Sequence, residues 1–425
     1  MIAPVAAASR RNFKRSPSGI LYEDMPVRTS SLPTDENLLD LATNGETIEN
    51  SDLNGKKVQL VPANWANRLR LNGVNGSLND HLIVKAQDDS GYSIVGGDTV
   101  AAGQQVLGTL NSPNYITYEG LHLKGNSNPA IAGITGTSAW PDALGSYWVW
   151  RDIVSEAMSF ANMQANFSTG VNSSNFYQSL LIEFFRSFGH NIEGENFYVG
   201  DTDKADGTYS MIANAIMRHC LGYDKGRDGI QFNHVTNALI EYCTIHNVGQ
   251  ENIGGQNLCF QFHNGTGIVR NNIFHDSPEL MNIFSHDVLF ENNFWRHTSS
   301  VGAYIGRLAN SYGANAENLN NQPLIWRNEI FDCAVTTPNL FNIWEDQCDI
   351  ILEDCYFSDL IQNIFVDNRV DKLSYNIQVI NPTFYPAGSI PLPAYVSLNP
   401  DDYTTHGLNT IPFHSSRGYR AKLAA

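Results

Sequence analysis

One short pattern recurs along this chain and limits what it can fold into. It reads Ile240-Glu241-Tyr242-Cys243-Thr244-Ile245, then Val269-Arg270-Asn271-Asn272-Ile273-Phe274, then Phe290-Glu291-Asn292-Asn293-Phe294-Trp295. The same frame, an apolar residue followed by Arg or Glu, fits upstream at Tyr118-Glu119-Gly120-Leu121, Trp150-Arg151-Asp152-Ile153, Ile182-Glu183-Phe184-Phe185 and Met217-Arg218-His219-Cys220. Downstream it fits at Trp326-Arg327-Asn328-Glu329 and Leu352-Glu353-Asp354-Cys355. Copies start 32, 32, 35, 23, 29, 21, 36 and 26 residues apart. Helical solenoids repeat at about 33 to 47 residues with long amphipathic helices. These intervals are shorter, irregular and broken by Asn and Gly, and each copy alternates apolar with polar residues as a strand with one buried face does.

A second strand follows after a variable loop, at Gly229-Ile230-Gln231-Phe232, Leu258-Cys259-Phe260-Gln261-Phe262, Leu280-Met281-Asn282-Ile283-Phe284, Leu340-Phe341-Asn342-Ile343-Trp344 and Ile361-Gln362-Asn363-Ile364-Phe365. Each repeat therefore reads as strand, loop, strand, short turn. Such units cannot bury an apolar face alone, but parallel strands stacked about 4.8 Å apart bury one continuous core and satisfy the backbone ladders. The expected fold is all-β, a right-handed parallel β-helix, with insertions confined to one loop per coil.

The 425 residues suffice for one long solenoid without domain splitting. A net charge of −17 argues against a nucleic-acid partner, and no apolar run is long enough to span a membrane. Of the six cysteines, Cys220, Cys243 and Cys355 take the same frame position in three coils, whereas Cys259, Cys333 and Cys348 do not. No CxxC spacing occurs, so buried small residues are expected rather than a metal site.

Four segments are expected. Residues 1–33 form an arm with five basic residues through Arg28 (Arg10, Arg11, Lys14, Arg15, Arg28) against Glu23 and Asp24. Residues 34–80 hold a short capping helix over Thr34–Ala42 and the first coil, the helix covering edge strands that invite pairing. Residues 81–385 form the β-helix, and the Pro-rich residues 386–425 an extended tail. Ser9-Arg10-Arg11-Asn12-Phe13-Lys14 is similar to a twin-arginine export signal, yet Ser16, Pro17, Ser18, Glu23 and Asp24 stand where its hydrophobic region belongs. Folding in a cytoplasm is expected.

The order of a short helix, Gly45-Glu46-Thr47-Ile48, Leu82-Ile83-Val84-Lys85-Ala86 and Asn114-Tyr115-Ile116-Thr117-Tyr118-Glu119-Gly120-Leu121 resembles the first coils of the pectate-lyase-like superfamily. The likeness extends over residues 34–385 and is greatest to polysaccharide lyases of the chondroitinase B and alginate lyase type; the long β-helix also resembles phage tailspike proteins. The resemblance implies a Ca²⁺-supported elimination with Lys and Arg near a glutamate-rich strand. The nearest local match is Glu279-Leu280-Met281-Asn282-Ile283-Phe284-Ser285, where Phe284 stands in place of the family's basic lysine.

Several groups are candidates for chemistry. Tyr223-Asp224-Lys225-Gly226-Arg227-Asp228-Gly229 is read as a loop offering two carboxylates and two cations for charge neutralisation and proton abstraction from a uronic acid. Asp201, Asp203 and Asp206 lie in a segment suited to Ca²⁺, which takes several oxygen ligands; no other cofactor is implied. Tyr223, His246, His275, Arg296, Asp332 and Ser358 occupy one frame position and are expected to stack along one exposed corner, with His234, His263 and His286 in a parallel line. The pairs His275-Asp276 and His286-Asp287 suit acid–base catalysis or sugar hydrogen bonding, and equally the bonding of turns. The strand tryptophans Trp150, Trp295, Trp326 and Trp344 are expected in the core.

The reading that joins these features is a bacteriophage virion protein, tailspike- or fibre-like, that contacts host surface polysaccharide. Its basic arm is suited to docking other virion proteins, and it is expected to form a homo-oligomer, a trimer. A free, secreted polysaccharide lyase or glycoside hydrolase is the alternative; a purely structural virion component is another.

Overall fold

The computed structural model describes the strands between residues 38 and 385, many of the turns joining them, and Ser389. Residues 1–37, 125–133, 167–181, 201–211, 309–322 and 390–425, with parts of other connections, lie outside the described residues. Three parallel sheets make up the fold: sheet A of thirteen strands, and sheets B and C of twelve each. One turn runs from a sheet A strand (Val235–Glu241) to a sheet C strand (Thr244–Val248) to a sheet B strand (Gln256–Gln261), and the next begins at Thr266–Arg270. Sheet neighbours are always one turn apart in sequence. This is a parallel β-helix, and the twist of parallel strands favours right-handed winding.

Each turn has three strands, not the two read from the sequence. Except at Ile182–Phe185, which lies within a sheet A strand with Phe184 and not Ile182 in register with Trp150 and Met217, the recurring pattern is not one strand but the end of a sheet A strand, a tight bend and the start of a sheet C strand. Its third residue carries the bend: Gly120, Tyr242, Asn271, Asn292, Asn328, Asp354 and Asn381 have φ of 67, 57, 56, 57, 52, 54 and 50°. Asn, Asp and Gly visit this left-handed region at least cost, which explains their recurrence. The second strands read from the sequence are those of sheet B, as at Ile230–Asn233, Glu279–Phe284 and Ile361–Asp367.

The core consists of columns that run through successive turns. In sheet A, Ile240, Val269, Phe290, Trp326 and Leu352 are in register and buried. In sheet C, Ile245, Phe274, Trp295 and Phe331 do the same. Rings stack between turns, Phe290 on Trp326 with centroids 4.9 Å apart and Phe274 on Trp295 at 4.3 Å. Trp150, Trp295 and Trp326 are wholly buried as expected, while the Trp344 side chain lies outside the described residues.

The fourth residue of the pattern points inward at the same corner and forms a polar ladder. Asn272 Oδ1 accepts from Cys243 N at 2.8 Å, and its Nδ2 donates to Ile240 O and to Asn293 Oδ1. Asn293 repeats this one turn on, accepting from Asn272 N and donating to Val269 O and Glu329 Oε1. Glu329 ends the run. Its Oε1 also accepts from Asn293 N, and its Oε2 from Trp295 Nε1. Burial pushes its carboxyl up to about 8, against the pull of these donors. Cys220, Cys243 and Cys355 extend the ladder as buried thiols outside any disulfide, and Cys333 is buried elsewhere, beside His297 in sheet C. Burial and the Glu329 charge push the Cys355 thiol up to about 12.

Outside this corner the second residue of the pattern forms a charge ladder of alternating sign, Arg218, Glu241, Arg270, Glu291, Arg327 and Glu353. Arg218 Nε meets Glu241 at 2.6 Å, Arg270 Nη2 meets it from the other side at 2.6 Å, and Arg327 Nε meets Glu353 at 2.8 Å. Like charges never fall on adjacent rungs here, so the parallel register costs no repulsion.

Towards the start of the chain, Val58–Val61, Asn64–Trp65 and Leu69–Asn72 give one complete turn. Of the span expected as a capping helix only Leu38–Leu39 is described, as a short strand beside Val58 and Gln59; the rest of it, the arm 1–33 and nearly all of the tail 386–425 lie outside the described residues.

Candidate functional site

The column is in register as expected, but along the strands of sheet C and not on an exposed corner, with His246, His275, Asp332 and Ser358 buried. Tyr223 pairs with His246, His246 with His275, His275 with Arg296 and Arg296 with Asp332 along sheet C. It also runs further than the sequence reading took it, since Lys124, Glu156 and His190 precede Tyr223 in the same register. The imidazoles of His246 and His275 stack, centroids 4.9 Å apart and planes 5° from parallel.

These groups are engaged with one another. His275 Nδ1 lies 2.5 Å from Asp276 Oδ2, and Asp276 Oδ1 accepts from the Thr298 hydroxyl at 2.7 Å. Burial alone would raise the Asp276 carboxyl, but the hydrogen bond and charge of His275, then Thr298 and Arg296, hold it down at about 2. Arg296 Nε lies 3.5 Å from Asp332, whose carboxyl is raised by burial against the pull of Arg296. His246, His275 and Asp332 are all under one-tenth exposed. An imidazole oriented by a carboxylate beside a guanidinium is an arrangement that general acid–base chemistry uses. The set is not saturated, since Arg296 Nε and Asp332 Oδ1 are buried with no hydrogen-bond partner.

The segment read as a catalytic loop divides differently. Asp224 and Lys225 are not in a loop: they end the sheet C strand Leu221–Lys225, with Lys225 beside Val248. Arg227 lies outside the described residues. Asp228 is 2% exposed, and its carbonyl accepts from Asn196 N at 2.9 Å, so it belongs to the approach to sheet B. The four residues therefore do not share one open loop. Asp201, Asp203 and Asp206, the candidate Ca²⁺ ligands, fall outside the described residues, as do His234, His263, His286 and Asp287. Among the described residues no cluster of three or more His, Cys, Asp or Glu is arranged to hold a metal.

A second column escaped the sequence reading. On sheet B, Tyr198, Gln231, Cys259, Asn282, Arg307 and Asn342 are in register, and Tyr198, Gln231, Asn282 and Asn342 each stand between two buried residues. Alternation turns these four outward. Tyr198, Gln231, Asn282 and Asn342 are nonetheless 3, 8, 7 and 6% exposed, so polar groups line a recessed strip. Within it Asn282 Oδ1 is buried with no hydrogen-bond partner. The signal was available in the sequence, as the polar middle residue of Ile230-Gln231-Phe232, Met281-Asn282-Ile283 and Phe341-Asn342-Ile343.

No protein-family model matches the chain, and no curated protein matches it in sequence. Among solved structures it is similar to an alginate lyase from Paenibacillus sp. str. FPU-7, 12% identical, covering 79% of this chain and 99% of that one with a TM-score of 0.38. It is similar too to the A-module of a mannuronan C-5 epimerase from Azotobacter vinelandii (12% identical, 78% and 92% covered, TM-score 0.45). A third is a GH136 lacto-N-biosidase from Eubacterium ramulus (10% identical, 79% and 64% covered, TM-score 0.43). The fold assignment rests on this chain's own three-sheet register.

Proposed function

We propose that this chain is a glycan-contacting β-helix, a tailspike- or fibre-like component of a bacteriophage virion that meets host surface polysaccharide along the outer face of sheet B. The observation that carries the reading is Asn282. A buried amide oxygen left without a donor costs about 1–3 kcal/mol, and a saccharide hydroxyl is the donor that a strip of amide and tyrosine side chains suits. Rungs about 4.8 Å apart set Gln231, Cys259 and Asn282 over a span of about 10 Å, on the scale of a disaccharide. The virion assignment is supported by the sequence alone: a basic arm suited to docking and resemblance to tailspikes. Trimeric assembly belongs to the same proposal. The test is binding of purified full-length chain to host lipopolysaccharide and capsule, with Asn282→Ala as the variant. Binding lost on this substitution at unchanged melting temperature supports the reading; wild-type affinity in the variant, or no binding to any host glycan, removes it and leaves a purely structural component.

A second reading, a polysaccharide lyase or glycoside hydrolase, is favoured by the Asp276–His275 pair beside Arg296. Absorbance of an unsaturated product from acidic glycans, lost in His275→Ala and Arg296→Ala, would establish the lyase; reducing ends released without that absorbance would point to hydrolysis.

A further inference from the structure

The outer face of sheet C is apolar along one column and polar along the next. Phe274, Trp295 and Phe331 face the core, so the residues on either side of each face out. On one side Ile273, Phe294 and Ile330 are in register and almost wholly buried. They form a cluster separate from the core, with Tyr356 and Tyr385 partly buried against it and their rings stacked at 5.9 Å. On the other side, two residues further along the same strands, stand His275, Arg296 and Asp332.

Arg296 and Asp332 are adjacent rungs whose bonding is incomplete. Arg296 Nε lies 3.5 Å from Asp332 Oδ2, and neither that Nε nor Asp332 Oδ1 has a hydrogen-bond partner, although both atoms are buried. A buried donor and a buried acceptor left unpaired are each costly. One hydroxyl group answers both, accepting from Nε and donating to Oδ1. A carboxylate or sulfate does not, because it has no hydrogen to donate to Oδ1 and would meet the charge of Asp276, whose carboxyl is held at about 2. The approach is from the arginine, whose side chain is 31% exposed against 10% for Asp332. Tyr356 is in register with Ile330, two residues before Asp332. Its ring therefore stands one rung on, about 4.8 Å along the solenoid, where the apolar face of a sugar ring can pack on it.

We infer that the outer face of sheet C holds a binding site for an uncharged saccharide, with one sugar hydroxyl bridging Arg296 Nε and Asp332 Oδ1 and the ring against Tyr356. The site shares with the sheet B reading only the class of ligand, and stands whether or not Asn282 binds one. Calorimetric titration of the full-length chain with neutral disaccharides (maltose, lactose, mannobiose, chitobiose) and with digalacturonic acid tests it. At least one neutral disaccharide should bind saturably, and more tightly than digalacturonic acid. Asp332→Ala and Arg296→Lys, which removes the Nε donor and keeps the charge, should each weaken that binding about tenfold or more, while Asn282→Ala leaves it unchanged. Should Asp332→Ala fail to fold, Arg296→Lys decides alone. Saturation by none of the neutral sugars overturns the inference, as does wild-type affinity in Arg296→Lys. Binding lost only in Asn282→Ala also overturns it and places the sugar on sheet B. Tighter binding of digalacturonic acid than of any neutral sugar overturns it in favour of the acidic-glycan lyase.

Discussion

Asn293 and Asn282 are the same residue type placed on opposite sides of the sheets. Asn293 faces inward at the corner between sheets A and C, where its oxygen accepts from Asn272 N and Nδ2 and its amide donates to Val269 O and Glu329. Asn282 faces outward from sheet B with Oδ1 unbonded. The comparison separates a polar group that holds turns together from one whose oxygen is left without a hydrogen-bond partner. Burial alone does not, since Asn293 is 0% and Asn282 only 7% exposed. The number of bonds already made is what differs.

The largest expected effect is at the ladder. Asn293→Ala leaves the Asn272 amides and Val269 O without their partner, at about 1–3 kcal/mol for each buried group left unsatisfied. Thermal unfolding should show a loss of about 3–5 kcal/mol for this variant and under about 1 kcal/mol for Asn282→Ala. Equal losses would erase the distinction.

The ladder should also respond to pH. The Glu329 carboxyl is held at about 8 in the folded chain and falls to about 4.3 when unfolded. The folded state then binds the extra proton, so this group's contribution is complete below about pH 4 and is lost as pH rises towards and through 8. Over that range the wild type should lose several kcal/mol from this site, and Glu329→Gln should flatten the dependence of melting temperature between pH 5 and 9. The outward column contains no comparable group among its described side chains, so Asn282→Ala should follow the wild-type profile. A wild-type melting temperature that does not decline across this window would show that Glu329 does not titrate there.

A smaller effect lies at the bend itself. Tyr242 holds φ of 57° where neighbouring turns use Asn or Asp, and it is 47% exposed. Tyr242→Asn should stabilise the chain by about 1 kcal/mol, read from denaturant midpoints. No gain would mean that the ring's own contacts offset the backbone cost. Smallest of all is the exposed end of the charge ladder, where Arg327→Ala should cost under about 1 kcal/mol and less as salt is raised.

Much of the fold was legible because a solenoid writes its register into the sequence. The frame that aligned Tyr223, His246, His275, Arg296 and Asp332 is the pairing along sheet C. The third strand of each turn was not read, because a one-residue bend leaves so short a trace. Ile240 and Ile245 both face the core, yet their separation of five residues would put them on opposite faces of a continuous strand. The left-handed residue between them resolves that parity. The candidate loop at Asp224 and Lys225 failed for a related reason: polar residues ending a strand look like a loop when the strand's partners are unknown.

The sequence by itself determined the periodicity of this protein, and with it which side chains form columns and which columns face inward. Only the tertiary structure decided which polar columns are saturated. The partners that settle this are 21, 29 and 36 residues apart, as in Asn272 with Asn293, Cys243 with Asn272, and Asn293 with Glu329. Connections of different length bring them to adjacent turns at the same corner, so a distance of about 3 Å between a backbone amide and a side-chain oxygen follows from winding and not from any local pattern.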